Sequence, residues 1–325
     1  MNDKEIIIYT SGMELPQLPG DNFFHSAELF HIYEQTPRHS PMMVVARNAD
    51  GTMAGCMLAV VRRRAMWLPP FFSWHCRVMG EGSYAVESPY REQLFTRMMT
   101  ELMRNMPIRV AYTEMSHFST KMFGYKALSL KGFFPVNWLN IHNSLHSKSP
   151  EERISQRHLE RVLRIQKKGV AMREVTTDDD LHDFVHLLKA HNFFKPKRFI
   201  PSEQFFRLVK DNPNIHLLLT TYHNNVIGCC AYALSQGNAY LWFAAYRRKS
   251  FVKLHPADMT IWGAIKRAYD EGCDHFCFLD VGLPYRKNKL RDFILGFGGK
   301  QVSSLRWFRF RYSFINRILS RIFSL

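Results

Sequence analysis

The stretch KLRDFILGFGGK, from 289 to 300, follows the acidic strand end HFCFLDVG and sets Asp280, Gly296, Gly298 and Gly299 in a basic neighbourhood. A carboxylate at a strand's end can take a proton from a nucleophile, or it can fix the turn that follows. Glycines at this density mean a sharp turn or a close approach, either by neighbouring backbone or by an extended ligand. His182, His186 and His191 in LHDFVHLLKAH have helical spacing that could share a metal. No glutamate stands between the first two to complete an H-E-x-x-H site, so helix-surface histidines are expected. The cysteines, at 56, 76, 229, 230, 273 and 277, lie mostly in apolar runs and make no pair of Cys-x-x-Cys units. Buried free thiols and no metal are the expectation.

Those residues need a scaffold, and 325 residues suit one large domain or two of about 150. The chain carries 44 Lys and Arg against 28 Asp and Glu, a formal net charge of +16. Such an excess favours anionic partners: phosphates, nucleic acid or a membrane face. Zinc-finger, homeodomain and aromatic RNA-binding signatures are missing, so sequence-specific nucleic-acid reading has little support. The start, MNDKEIIIYTSG, is not a secretory leader, and no apolar run approaches the ~18 residues of a membrane span. A cytoplasmic protein is expected, with the inner face of the cell membrane as a peripheral setting.

An internal repeat gives the architecture. MMVVARNADGTMAGCMLAVV (42–61) and IHLLLTTYHNNVIGCCAYALS (215–235) both read strand, turn, strand, with Gly-Cys after the turn. Helix-like segments precede each, HSAELFHIYEQT and SEQFFRLVKDN; a strand, a helix and another strand follow each. The expected fold class is α/β (α+β): tandem domains over 1–145 and 146–325, each a mixed, mostly antiparallel sheet flanked by helices. The second opens with SPEERISQRHLERVLRIQKKGV, a helix too basic to be buried, with Gly169 as its C-cap.

LERVLRIQKKGVAMREV resembles the helix that opens the second domain of the Fem-type peptidoglycan-bridge aminoacyltransferases, within the GNAT superfamily. HNFFKPKRFIPSEQFF, LHPADMTIWGAIKRAYDEGCDHFCFLDVG and LRDFILGFGGKQV follow in that family's order, from about 130 to 310. The resemblance implies two tandem GNAT-like domains and direct transfer of an acyl or aminoacyl group to an amine, with no covalent enzyme intermediate. In relatives the Phe-Gly-Gly turn leads into the last strand. Two departures stand out: Ile294 replaces the family's lysine in FILGFGG, and the Gly-rich pyrophosphate loop of ordinary acetyltransferases is replaced by RRKSFVKLHPADM.

Such a transfer needs an uncharged amine, a near-attack geometry and donors for the developing oxyanion. Backbone N–H groups splayed at a strand bulge could supply the donors. Asp280, Asp258 and His255 are the candidate bases, Asp258 being equally a helix cap and Asp280 a turn former. The resemblance implies substrate binding by Lys197 and Arg198, and by Arg247, Arg248 and Lys253 near the helix start at Pro256. Trp242, Tyr285, Arg286, Lys289 and Phe297 complete the expected set. No tightly bound cofactor is expected; acyl-CoA, acyl carrier protein or aminoacyl-tRNA would be the co-substrate. The acceptor would be a small-molecule or lipid-linked amine of a cell-envelope precursor, and the alternative is a noncatalytic GNAT-like binding protein at the membrane surface.

The end of the chain, RWFRFRYSFINRILSRIFSL, alternates like a strand through Phe310 and then shows helical spacing of Phe314, Ile315, Ile318, Leu319, Ile322 and Phe323, with Arg317 and Arg321 opposite. A basic amphipathic helix can lie in an anionic membrane interface or dock its apolar face on the protein.

Overall fold

The computed structural model describes residues 4–63, 74–118, 122–193, 199–279 and 281–323. Along the first part of the chain run β1 (Glu5–Tyr9), α1 (Ala27–Glu34), β2 (His39–Arg47), β3 (Met53–Arg63), β4 (Trp74–Met79), β5 (Ser83–Tyr84), α2 (Ser88–Arg104), β6 (Val110–Ser116), α3 (Tyr125–Leu130) and β7 (Phe134–Ser144). The rest comprises α4 (Pro150–Arg153), α5 (Gln156–Lys167), β8 (Val170–Glu174), α6 (Asp178–Asn192), α7 (Glu203–Val209), β9 (Ile215–Tyr222), β10 (Asn225–Ser235), β11 (Asn238–Tyr246), α8 (Pro256–Asp270), β12 (His275–Phe278), α9 (Lys289–Leu295), β13 (Lys300–Phe310) and α10 (Ser313–Phe323). Both hairpins form where the turn residues place them, as β2–β3 and β9–β10.

The chain divides into two compact units, Met1–Trp138 with Ser303–Leu325, and Leu139–Val302. The sequence expectation of a second domain from 146 to 325 therefore needs correction at its end. β13 pairs antiparallel with β6, Arg306 opposite Ser116 through Phe310 opposite Tyr112, and so completes the first unit's sheet. Conversely, Ile141–Ser144 of β7 pair with β12 in the second unit. The last strand of each sheet thus comes from outside its own sequence repeat.

In the first unit the strand order is β1-β2-β3-β4-β6-β13, with β5 on β3. Leu94, Met98 and Leu102 of α2, four apart, bury one helix face against Val44, Met57, Val78, Met115 and the fully enclosed Trp307. In the second unit the order is β7-β12-β11-β10-β9-β8. Ile261, Ile265 and Ala268 of α8, with Val162 and Ile165 of α5, cover one face against Tyr232, Phe276 and Phe278. On α6, Phe184 packs on Phe206, which in turn packs on Phe243 of β11.

Burial in the first unit has a consequence for stability. His25 is 1% exposed, with the Leu58 N–H at 2.9 Å from Nδ1 and the Gly82 N–H at 3.0 Å from Nε2. An imidazolium there would face N–H with N–H. Burial holds the His25 pKa down to about 3, and burial of His39, stacked on Tyr33, holds it at about 4. Both folded-state values lie below the unfolded ~6.5, so the unfolded chain takes up protons that the folded chain refuses. Stability is then fully present above pH ~6.5 and falls as pH drops, by about 1.4 kcal/mol per pH unit for each histidine. Urea midpoints measured from pH 7 to 5 should decline, and His39→Phe should roughly halve the slope; a flat profile in the parent protein would disprove the assignment.

Candidate functional site

The site begins at a defect in the second unit's sheet. β11 pairs with β10 in two registers, Tyr232 opposite Leu241 and Ala231 opposite Phe243, leaving Trp242 as a bulge. On its other edge β11 runs parallel to β12, but that ladder covers only Asn238–Leu241 with His275–Phe278. Beyond the bulge, Phe243–Tyr246 carry on along β10, and among the described residues their other edge has no strand partner. β12 ends at Phe278, so β11 runs on past the carboxyl end of its parallel partner, and the place beyond a parallel strand's carboxyl end is the usual ligand position in such sheets. In the first unit the parallel strands β4 and β6 instead end together, Met79 opposite Ser116, after one irregularity at the start of the ladder.

α8 starts at the carboxyl end of β11. His255 caps it in a left-handed conformation, φ 40°, Pro256 takes the first turn, and Asp258 follows. Asp258 is only 4% exposed. Its Oδ1 accepts a hydrogen bond from Arg161 Nη1 of α5 at 2.7 Å and lies 3.7 Å from His158 Nε2. His158 and Arg161 are three apart on α5 and so share a face. The other nitrogen of His158 lies 2.8 Å from Ser155 Oγ. Burial, and then the Arg161 charge, lower the His255 pKa below its ordinary value, with Arg164 and Lys168 adding to the effect and Asp258 opposing it. The His255 side chain is exposed and neutral at neutral pH, as a base must be, whereas Asp258 is enclosed and already paired.

The basic loops come to this region by identifiable contacts. The Arg248 guanidinium lies 5.3 Å from the Tyr246 ring and 5.6 Å from the Phe293 ring, tying the segment after β11 to α9. Arg291 donates to the Leu283 carbonyl at 3.0 Å and the Arg286 carbonyl at 2.8 Å, which shapes the loop before α9. Asn288 caps α9 and donates to the Val281 carbonyl at 2.8 Å. Tyr285, Arg286 and Lys289 project from that loop into solvent, as do Arg247 and Lys253 from theirs. Trp242 is half-buried against Phe205 and Phe243. Asp280, Lys197 and Arg198 lie outside the described residues.

Phe297 needs correction as a substrate contact: it is 1% exposed, its ring 5.0 Å from His158 and 5.3 Å from Phe293, in the second unit's core. The glycines around it are there for packing. A Cβ on Gly296 would strike the His158 ring, one on Gly298 the Arg153 carbonyl, and one on Gly299 the Ile141 side chain. The Phe297 carbonyl accepts from Asn143 Nδ2 at 2.7 Å, and the Gly296 carbonyl from Ser155 N at 2.8 Å. The opening segment of the second unit and the glycine turn therefore brace one another.

Among the described residues no group of three metal-ligating side chains converges. His182 and His186 stack on the exposed face of α6. All six cysteines are buried, and burial pushes the thiols of Cys56, Cys76 and Cys277 up to about 12, far from nucleophilic range. Sequence reading missed the Arg161–Asp258 pair and the part of Arg291. The His158/Arg161 spacing was a usable signal for the first; nothing marked Arg291 apart from its basic neighbours.

Residues 153–287 match the family model described as an acetyltransferase (GNAT) domain. No curated protein sequence matches the chain. Among solved structures, FemX is similar with a TM-score of 0.66 at 10% identity, over 97% of this chain and 100% of that one. The C-terminal domain of a putative lysylphosphatidylglycerol synthetase from Agrobacterium fabrum is similar with a TM-score of 0.60 at 10% identity, over 93% and 92%. A tandem GNAT protein from the clavulanic acid biosynthesis pathway gives 0.56 at 8% identity, over 94% and 98%. The matched span, from the end of α4 to the loop before α9, is thus similar to a GNAT acetyltransferase domain, and the fold of the chain is similar to that of FemX.

Proposed function

We propose that the second unit transfers an acyl or aminoacyl group from an activated donor to an amine of a cell-envelope or lipid-linked precursor. The observation that carries this reading is that β11, bulged at Trp242, runs on past the carboxyl end of β12, beside the exposed basic segments at 247–253 and 285–289. A donor carbonyl lying along the free edge of β11 would meet backbone N–H groups where its oxygen gains charge. The amine nitrogen attacks that carbonyl carbon, the C–N bond forms, and the C–O or C–S bond of the ester or thioester breaks. The proton lost by the amine passes to a base, and the leaving alkoxide or thiolate takes a proton in turn. His255 fits the base by exposure and neutrality; Asp280, two positions after β12 in the sequence, is the second candidate.

The donor class follows from the start of α8. A helix N-terminus holds phosphate through free N–H groups and its dipole. Here Pro256 lacks an N–H and Asp258 already places a carboxylate within the first turn. That arrangement favours aminoacyl-tRNA, whose phosphates would meet Arg247, Arg248, Lys253, Arg164 and Lys168, over a coenzyme A pyrophosphate seated on the helix. One neighbour in fold, the C-terminal domain of a putative lysylphosphatidylglycerol synthetase, fits a lipid-linked acceptor, and the resemblance to the Fem-type family fits an envelope one.

Charged tRNA, acyl-CoA and acyl carrier protein, each supplied with amine-bearing envelope extracts near physiological salt, would be followed by mass spectrometry of the product. One donor should yield a new amide. His255→Gln should lower kcat about 100-fold and flatten the acid limb of its pH profile, since the parent rate rises as His255 loses its proton. If Asp280→Asn has that effect instead, Asp280 is the base. If no donor yields product, the noncatalytic binding reading replaces this one.

A further inference from the structure

We propose that α10 is a lipid-facing foot that docks the first unit on an anionic membrane surface. The helix has no buried residue, and Phe314, Ile318 and Ile322 are 64%, 54% and 57% exposed. Spaced four apart, they form one continuous apolar stripe along the helix. Arg317 and Arg321 fall beside that stripe rather than opposite it, because each sits three residues beyond one of its members. They too are exposed, as is Arg311 just before the helix. The opposite side is the tethered one: Asn316 accepts from the Phe310 N–H at 2.9 Å and donates to the Gly132 carbonyl at 3.0 Å, and Ile315 and Leu319 on that side are half-buried. The sequence left open whether the apolar face docks on the protein or on lipid. The fold divides it, giving Ile315 and Leu319 to the tethered side and Phe314, Ile318 and Ile322 to solvent.

Charge selects the occupant. From Arg309 to Phe323 the chain carries Arg309, Arg311, Arg317 and Arg321 and no acidic residue. A second copy laid along the same stripe would set arginine against arginine. A leaflet of anionic lipid instead accepts the apolar stripe below its headgroups while the arginine stems reach up to the phosphates. This docking stands independently of the transfer chemistry of the second unit.

The test uses the full chain with vesicles of phosphatidylcholine alone, and with about a third phosphatidylglycerol, near physiological salt. The protein should co-sediment with the anionic vesicles and leave the neutral ones. Phe314→Ser/Ile318→Ser/Ile322→Ser should lower anionic-vesicle binding at least about tenfold with an unchanged melting curve, since these side chains touch little of the protein. Arg317→Gln/Arg321→Gln should weaken binding and reduce its salt dependence. Equal binding of parent and triple variant, or no vesicle binding, overturns the proposal. So does light scattering that finds a dimer abolished by the triple variant, which would make a second copy the occupant.

Discussion

Gly298→Ala should cost the second unit about 3 kcal/mol or more, one of the largest losses from any single methyl group in the chain. Two penalties add. Gly298 holds φ at 90°, where an L side chain is strained by about 1–2 kcal/mol. The new Cβ would also fall against the Arg153 carbonyl, which is backbone and has no rotamer by which to withdraw. Gly169 separates the two effects. It has a similar φ of 85° but nothing within 4 Å of its would-be Cβ, so Gly169→Ala should show the strain alone, about 1 kcal/mol. Urea midpoints of the two variants should differ by about the overlap penalty. If they match, close packing against α4 is not what the glycine turn is for, and a ligand lying along it becomes the better account.

Asp258→Ala is the second large effect expected. It leaves Arg161, 21% exposed at its side chain, facing a site built around a carboxylate that is 5% exposed. Removing one member of an enclosed ion pair typically costs ~3–5 kcal/mol; the partial exposure of Arg161 puts this pair at about 3. Replacing both, Asp258→Leu with Arg161→Leu, should recover much of the loss, because the unmatched charge goes with its partner. The transfer assay then sorts the two roles. If Asp258 is structural, the double variant keeps substantial kcat while the single one loses activity in step with its folded fraction. If the single variant melts like the parent and still loses all transfer, Asp258 is in the machinery and the pair is not a brace.

Much of this molecule is legible in one dimension. Turn residues such as Asn48–Gly51 and His223–Asn224 fix hairpins locally, so the repeated order of elements, and with it the tandem fold, can be read from spacing alone. The four-residue spacings of Leu94, Met98 and Leu102 and of Ile261 and Ile265 likewise mark the buried faces of α2 and α8. The basic opening helix was read as a solvated face, and Arg157, Arg164, Lys167 and Lys168 are indeed exposed. Arg153 and Arg161 are only partly exposed, and the partner of Arg161 lies 97 positions away, a separation that no local pattern reports.

What the tertiary structure alone decided has one physical root: strand pairing and side-chain contact depend on register across the sheet, and register is set by neighbours distant in sequence. It moved 303–325 to the first unit by pairing Arg306–Phe310 with β6. It paired all of β12 with Asn238–Leu241, so that β11 outruns its parallel neighbour where the sequence shows only two apolar strands. It put Phe297 in the core through contacts with His158 and Phe293, although its flanking glycines read as an approach path. The sequence by itself determined the elements, their order and the sign of the charge; which edge stays open, and which face of α10 stays bare, came from how those elements close on one another.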